Sequence, residues 1–154
     1  MSVPFGFSAG DIIAALELVA TIIDALQDSG ESRHRYLELI GELQSLERAL
    51  LNVKRIELHE SQNTERIALQ YAAASCQRTI DEFWKKIEKY QPYLGNNGCG
   101  SRLKQQWARV KWSIFKEKDV DKFKADLGGH TAAITILLLA TQRLDLDKQM
   151  AQPS

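Results

Sequence analysis

The chain has 154 residues, of which 44% are apolar and 26% charged, and its 20 basic and 20 acidic side chains cancel. This length fits one domain with a substantial core, and the neutral balance points to no particular class of partner. The 2 cysteines exclude a disulfide framework and lack zinc-site spacing, so a reducing compartment is predicted.

The charge is distributed unevenly along the chain. Residues 1–60 hold ten acidic and five basic side chains, a balance of −5, whereas residues 84–124 hold eleven basic and four acidic ones, a balance of +7. Such asymmetry can indicate an anionic partner. The N-terminus lacks signal-peptide features, and Glu17 and Asp24 interrupt its apolar stretch, which makes it a poor membrane span. We therefore expect a protein that is soluble as made and cytoplasmic at rest.

Helix one is predicted around residues 12–26 and carries an unusually wide apolar surface. On a helical wheel, Glu17, Thr21, Asp24 and Asp28 fall on one narrow face, and the apolar side chains occupy the remaining ~240°. An ordinary surface helix has an apolar stripe only a little wider than ~100°. Helix one must therefore be wrapped by several neighbours, or it must at times enter a medium other than water. Both interpretations stay open at this stage.

The rest of the chain also reads as helix, with apolar side chains spaced by three and four residues. Helices two to five are predicted at about 31–55, 64–90, 102–115 and 119–144. Long helices joined by short connections pack as an antiparallel bundle. The sequence thus predicts an all-α fold, a single up-and-down antiparallel bundle of four to five helices over residues 1–144. A flexible C-terminal tail is expected over residues 145–154.

Helix four is predicted to carry a second stripe, formed by Trp112 and Phe115, on a different side from its core-facing residues. Five cations border this stripe and complete a candidate basic–aromatic face; they are Arg102, Lys104, Arg109, Lys111 and Lys116. Tryptophan beside cations suits an anionic membrane surface, and the same grouping suits nucleic acid through phosphate contacts and stacking. The alternative is that Trp112 and Phe115 pack inside the protein, against helix one or the N-terminal phenylalanines. The sequence favours internal packing over a membrane or protein contact, and nucleic acid is the least favoured.

No pattern indicates catalysis. His34, His59 and His130 are far apart and belong to no ligand pair, and the glycine-rich stretch 95–101 lacks the lysine that ends a phosphate-binding loop. Cys99 lies in that stretch, where a spectator thiol is the favoured interpretation. We therefore predict no enzyme activity, no cofactor, no catalytic residue and no metal ligand.

Four features resemble fungal HeLo-like domains, the N-terminal domains of NACHT-type signalling NTPases of the STAND class. They are residues 5–13 (Phe-Gly-Phe-Ser-Ala-Gly-Asp-Ile-Ile), residues 76–80 (Cys-Gln-Arg-Thr-Ile) leading to Phe83, the Gly100-Ser101 start followed by Trp107, Val110, Lys111 and Trp112, and the final apolar helix. The resemblance covers about residues 3–144. It implies a bundle similar to the executioner domains of necroptosis and of fungal incompatibility.

In those systems a sensor clusters the bundles, and the N-terminal helix is thought to leave the bundle and disrupt the plasma membrane. Carried over to this chain, the resemblance implies a membrane-active segment within residues 5–26. Its candidate residues are Phe5, Phe7, Ile12, Ile13, Leu16, Glu17, Val19, Ile23 and Asp24. Glu17 and Asp24 would face a polar lumen or other copies of the helix.

Two functional hypotheses follow. The first is an inducible effector of programmed cell death and innate immunity, which oligomerises and moves from the cytoplasm to anionic phospholipid of the plasma membrane. The second is a soluble interaction or oligomerisation module that regulates a signalling NTPase without membrane activity. The expected partners are a second copy of the chain, a signalling NTPase and, under the first hypothesis, the membrane.

Overall fold

The computed structural model describes residues 9–56, 62–94 and 102–151, and this part of the chain is helical and contains no strand. The helices are α1 (Ala9–Asp28), α2 (His34–Arg55), α3 (Asn63–Tyr90), α4 (Arg102–Ala108) and α5 (Glu117–Ala151). Two short 3₁₀ turns, Pro92–Leu94 and Trp112–Ile114, flank α4. The prediction of an all-α bundle is confirmed.

The four long helices form a ring in the order α1, α2, α5, α3, and α4 packs on the open side of α1. Between α3 and α5, Thr79 contacts His130 and Lys86 pairs with Asp119, so these two helices run antiparallel. The Lys124 ammonium donates a hydrogen bond to the Glu38 carboxylate on α2, so α2 begins beside the start of α5. Chain direction thus alternates along the four helices. The step from α2 to α3, however, crosses the diagonal of the bundle.

The surfaces of α2 and α5 meet closely at Gly128. A Cβ atom there would lie 3.3 Å from Oε2 of Glu42, so the end of the glutamate side chain would have to shift slightly. Another glycine, Gly30, has a φ of 71° in the left-handed region and follows the end of α1 at Asp28. The short connection that follows lets α2 turn back along α1.

The wide apolar arc of α1 is wrapped by its neighbours. Ile12, Ala15, Val19, Ile22 and Leu26 are each at most 1% exposed, and they face α2, α3 and α4. At the start of α1, Gln70 donates a 3.0 Å hydrogen bond to the Asp11 carboxylate, and Gln77 donates one of 3.1 Å to the Asp11 carbonyl. Of the two interpretations of helix one, wrapping describes this structure.

The sequence prediction was wrong at two helix ends. Helix four stops at Ala108 rather than near 115, and tight i→i−3 bonds from the Arg109 and Val110 N–H groups close its last turn. On a straight helix Trp107 and Trp112 would point to different sides, yet both are buried, so the chain has to leave the helix to bury them. Helix five also continues past 144, to Ala151.

Candidate interaction surfaces

An aromatic cluster closes the end of the bundle where α3 ends and α5 begins. The rings of Phe83 and Phe123 stack with centroids 4.0 Å apart and planes 2° from parallel. The Phe115 ring packs against the Phe83 ring with centroids 5.4 Å apart, and the Trp112 ring stacks on the Phe83 ring with centroids 6.3 Å apart. Aromatic pairs of this kind contribute about 0.5–1.5 kcal/mol beyond the area they bury.

Hydrogen bonds fix the segment between α4 and α5 to this cluster. The buried Tyr36 hydroxyl, at the start of α2, donates to the backbone carbonyl of Trp112. The fully buried Gln91 amide donates to the Lys111 carbonyl at 3.1 Å and accepts from the Lys111 N–H at 2.9 Å. Tyr36 and Gln91 thus satisfy backbone groups that helix four, by ending early, leaves without intrahelical partners.

The proposed basic–aromatic face does not exist as a surface. Trp112 is 2% and Phe115 6% exposed, because both side chains belong to the aromatic cluster. Internal packing, the favoured interpretation, is therefore confirmed, although the main partner is Phe83 on α3 rather than helix one. The cations Lys104, Arg109, Lys111 and Lys116 are exposed without an aromatic stripe between them. The Arg102 side chain lies outside the described residues.

The candidate residues of α1 divide between core and surface. Ile12, Val19 and Ile23 are buried, and Leu16 is half-buried. Glu17, Asp24 and Ile13 are exposed, Glu17 and Asp24 one heptad apart on the outer face. Phe5 and Phe7 lie outside the described residues. In the described residues no helix is long and apolar enough to cross a membrane.

An apolar face on α5 was missed by the sequence analysis. From Ala132 to Ala140 the only polar residue is Thr135, so this stretch is apolar all round. Its inner side, with Ile134 and Leu138, is buried in the core, whereas Ile136 is 66% and Leu139 61% exposed. The signal was present in the sequence as a run of apolar residues without a polar side. We call the exposed side of residues 132–140 the α5 outer face.

An apolar groove of about 580 Å³ between α3 and α5 adjoins this face. Its walls include Ile67 and Tyr71 from α3 and Ala133 and Leu137 from α5. His130 lies in the wall with its Nε2 atom 2.7 Å from the Thr79 hydroxyl. Burial lowers the pKa of His130, an effect that the nearby Asp126 carboxylate partly opposes. The groove is therefore lined mainly by neutral groups near pH 7.

Two observations concern the buried thiol and the candidate metal-ligating side chains. Burial raises the pKa of the Cys76 thiol to about 12, which keeps it protonated and unreactive. Within the described ranges, no three His, Cys, Asp or Glu side chains are grouped to hold a metal ion. What the geometry does provide is apolar contact area, on the α5 outer face and in the adjoining groove.

Comparison with known families agrees with this architecture. Residues 8–152 match the family described as pigment biosynthesis cluster protein PigL N-terminal. The chain belongs to this family. The PigL N-terminal family is a fungal helical domain family, which fits the resemblance to fungal helical domains at that coarser level. Neither the curated proteins nor the solved structures contain a match to the chain.

The Tyr36 hydrogen bond gives a test of the aromatic end. Tyr36→Phe removes one hydroxyl without changing ring packing and leaves the Trp112 carbonyl without this donor, so we expect a loss of about 1–2 kcal/mol in the free energy of unfolding. Urea denaturation measures the loss. Tyr71→Phe is the matched control, because Tyr71 is 66% exposed and should be neutral. Equal stability of the two variants would contradict the role given to the Tyr36 bond.

Proposed function

We propose that this PigL N-terminal domain is a protein–protein association module that docks partner helices on the α5 outer face and the adjoining groove. The observation that carries this proposal is the exposure of Ile136 and Leu139 in a stretch of α5, residues 132–140, that is apolar all round. Helices with that composition are normally buried on every side. The inner side of residues 132–140 is buried in the bundle, and the outer side leaves apolar surface exposed that a partner can cover.

The dimensions of the groove support a helical partner. Its α3 wall extends from Thr64 to Ser75, and 12 residues of helix correspond to ~18 Å. This length accommodates about three turns of an amphipathic helix laid along the groove. Tyr71 at the rim presents a ring with a polar end, a residue type favoured where an interface meets water.

Two partners come from the sequence and the family. If the HeLo-like resemblance holds, the partner is a signalling NTPase or a second copy of this chain, and the association takes place in the cytoplasm. The family description names a pigment biosynthesis cluster protein, which adds pigment biosynthesis as a setting for that relative. An association module acts in either setting without chemistry of its own, and we propose no enzymatic role for the chain.

Site-specific photocrosslinking in the host extract tests the module. Benzoylphenylalanine at Leu139 should give a discrete protein adduct, identified by mass spectrometry, that Ile136→Glu abolishes. The same probe at Leu37 is the control, because Leu37 is 54% exposed but lies on α2 near its N-terminus, away from the α5 outer face. Adducts of equal yield at both positions, or none at Leu139, would contradict the proposal.

Membrane targeting by α1 is the second candidate, because residues 12–26 keep their few polar side chains on one face. In this proposal clustering releases α1, and the chain acts as a cell-death effector at the plasma membrane. The release exposes Ile12, Val19 and Ile22 and the surfaces that cover them, at about 1.5–3 kcal/mol for each side chain. A trigger therefore has to supply a free energy comparable to the stability of a whole domain.

Dye release from anionic and neutral vesicles separates the two candidates. If α1 release operates, the clustered chain should leak anionic vesicles, and Val19→Asp should change leakage because it places a carboxylate in the apolar arc. Asp24→Asn is the control on the exposed polar face. If the chain is only an association module, vesicles of both compositions stay intact at concentrations that force clustering.

A further inference from the structure

The C-terminal half of α5 carries an exposed stripe with coiled-coil spacing. Its members follow one another at intervals of four, three, four, three and four residues; they are Ala132, Ile136, Leu139, Arg143, Leu146 and Met150. All six are exposed, with Leu146 at 58% and Met150 at 84%. A strict alternation of three and four is the period at which one helix packs continuously along another.

The stripe extends over most of the C-terminal half of α5. The helix continues to Ala151, and its exposed apolar residues Leu146 and Met150 keep the stripe positions. Residues 132–150 correspond to ~28 Å of helix, or nearly three heptads. This length is enough for one helix to pack along another over several turns.

We propose that two copies of this chain associate through this stripe, with the two α5 helices packed side by side and antiparallel. The proposal rests on the association function above and names a second copy as the partner. Each copy then contributes the same stripe, and its side chains pack between those of the other copy, as a two-fold interface requires.

The charges on the stripe favour an identical partner in the antiparallel orientation. Arg143 is the only charge among the six positions. In a parallel pair the two Arg143 guanidinium groups would share one layer and repel. In an antiparallel pair centred near residue 141, each Arg143 lies across from Leu139 of the other copy, and the two charges fall in different layers.

The residues that flank the stripe also suit a second copy. Ala133 and Ala140 lie along one edge, where small side chains let two backbones approach closely. The exposed Asp147 continues that edge, and in an antiparallel pair centred near residue 141 the two Asp147 carboxylates lie ~18 Å apart along the helices. Thr135 and Gln142 lie along the other edge and are uncharged, so they add no repulsion. A seam of this length buries less area than most permanent dimers do, so we expect dissociation in the micromolar range.

Sedimentation velocity from low to high micromolar concentration tests self-association of the purified full chain. The wild-type chain should shift from monomer to dimer, Ile136→Glu should remain monomeric, and Leu37→Glu should dimerise like the wild type. Both substitutions place one glutamate at an exposed apolar position, so a shared loss of folding would appear equally in circular dichroism.

The outcomes separate this inference from the broader function. A monomeric wild-type chain at high micromolar concentration overturns self-association, and a protein adduct at Leu139 other than the chain itself would still support the association module. A dimer that persists in Ile136→Glu overturns the stripe as its interface. Flotation of the monomer with anionic vesicles, lost in Ile136→Glu, would assign the stripe to lipid and likewise overturn the inference.

Thiol crosslinking tests the orientation in a Cys99→Ser background, where the remaining Cys76 is buried and unreactive. Ala140→Cys lies near the centre of the antiparallel pair and should be joined to its counterpart by a short bis-maleimide. Ala132→Cys should not react, because its two copies would lie ~27 Å apart along the helices. Efficient crosslinking at Ala132→Cys would overturn the antiparallel orientation.

Discussion

The burial of α1 against three other helices is the constraint on which the structure depends. Ile12, Val19, Ile22 and Leu26 fill the space between α2, α3 and α4. At about 1.5–3 kcal/mol for each fully buried side chain, these contacts are comparable to the net stability of a domain of this size. Removal of α1 would therefore open the core rather than expose one surface. A membrane role for α1 would need a trigger of matching size.

The aromatic end of the bundle has a second effect, because it determines how α5 enters the fold. Tyr36 and Gln91 hold the backbone at Lys111 and Trp112, and the stacked rings of Phe83 and Phe123 hold the first turns of α5. From that anchor the helix runs along α2 and α3. Its apolar stretch, residues 132–140, is buried on the inner side and uncovered on the outer side, so the outer side is available as an interaction surface.

The sequence predicted most of the bundle, because stripes such as Leu39 to Val53 on α2 are local patterns that only a helix can bury together. It failed at 109–115, where the burial of Trp112 depends on Phe83, a residue distant in sequence. The α5 outer face lay within reach of the sequence, since residues 132–140 are apolar on all sides. A periodic pattern predicts that a helix has a core side, but which of its other apolar residues stay uncovered depends on how α2 and α3 pack against α5.

Native-state hydrogen exchange across increasing denaturant tests the central claim most directly, that α1 is an integral core helix and α5 presents the accessible apolar face. The account predicts that the amides of residues 12–26 exchange only through global unfolding, with the same free energy as the centres of α2 and α3. Exchange of α1 through a separate opening of much lower free energy, while α2 and α3 stay protected, would contradict it. That result would favour a releasable N-terminal helix.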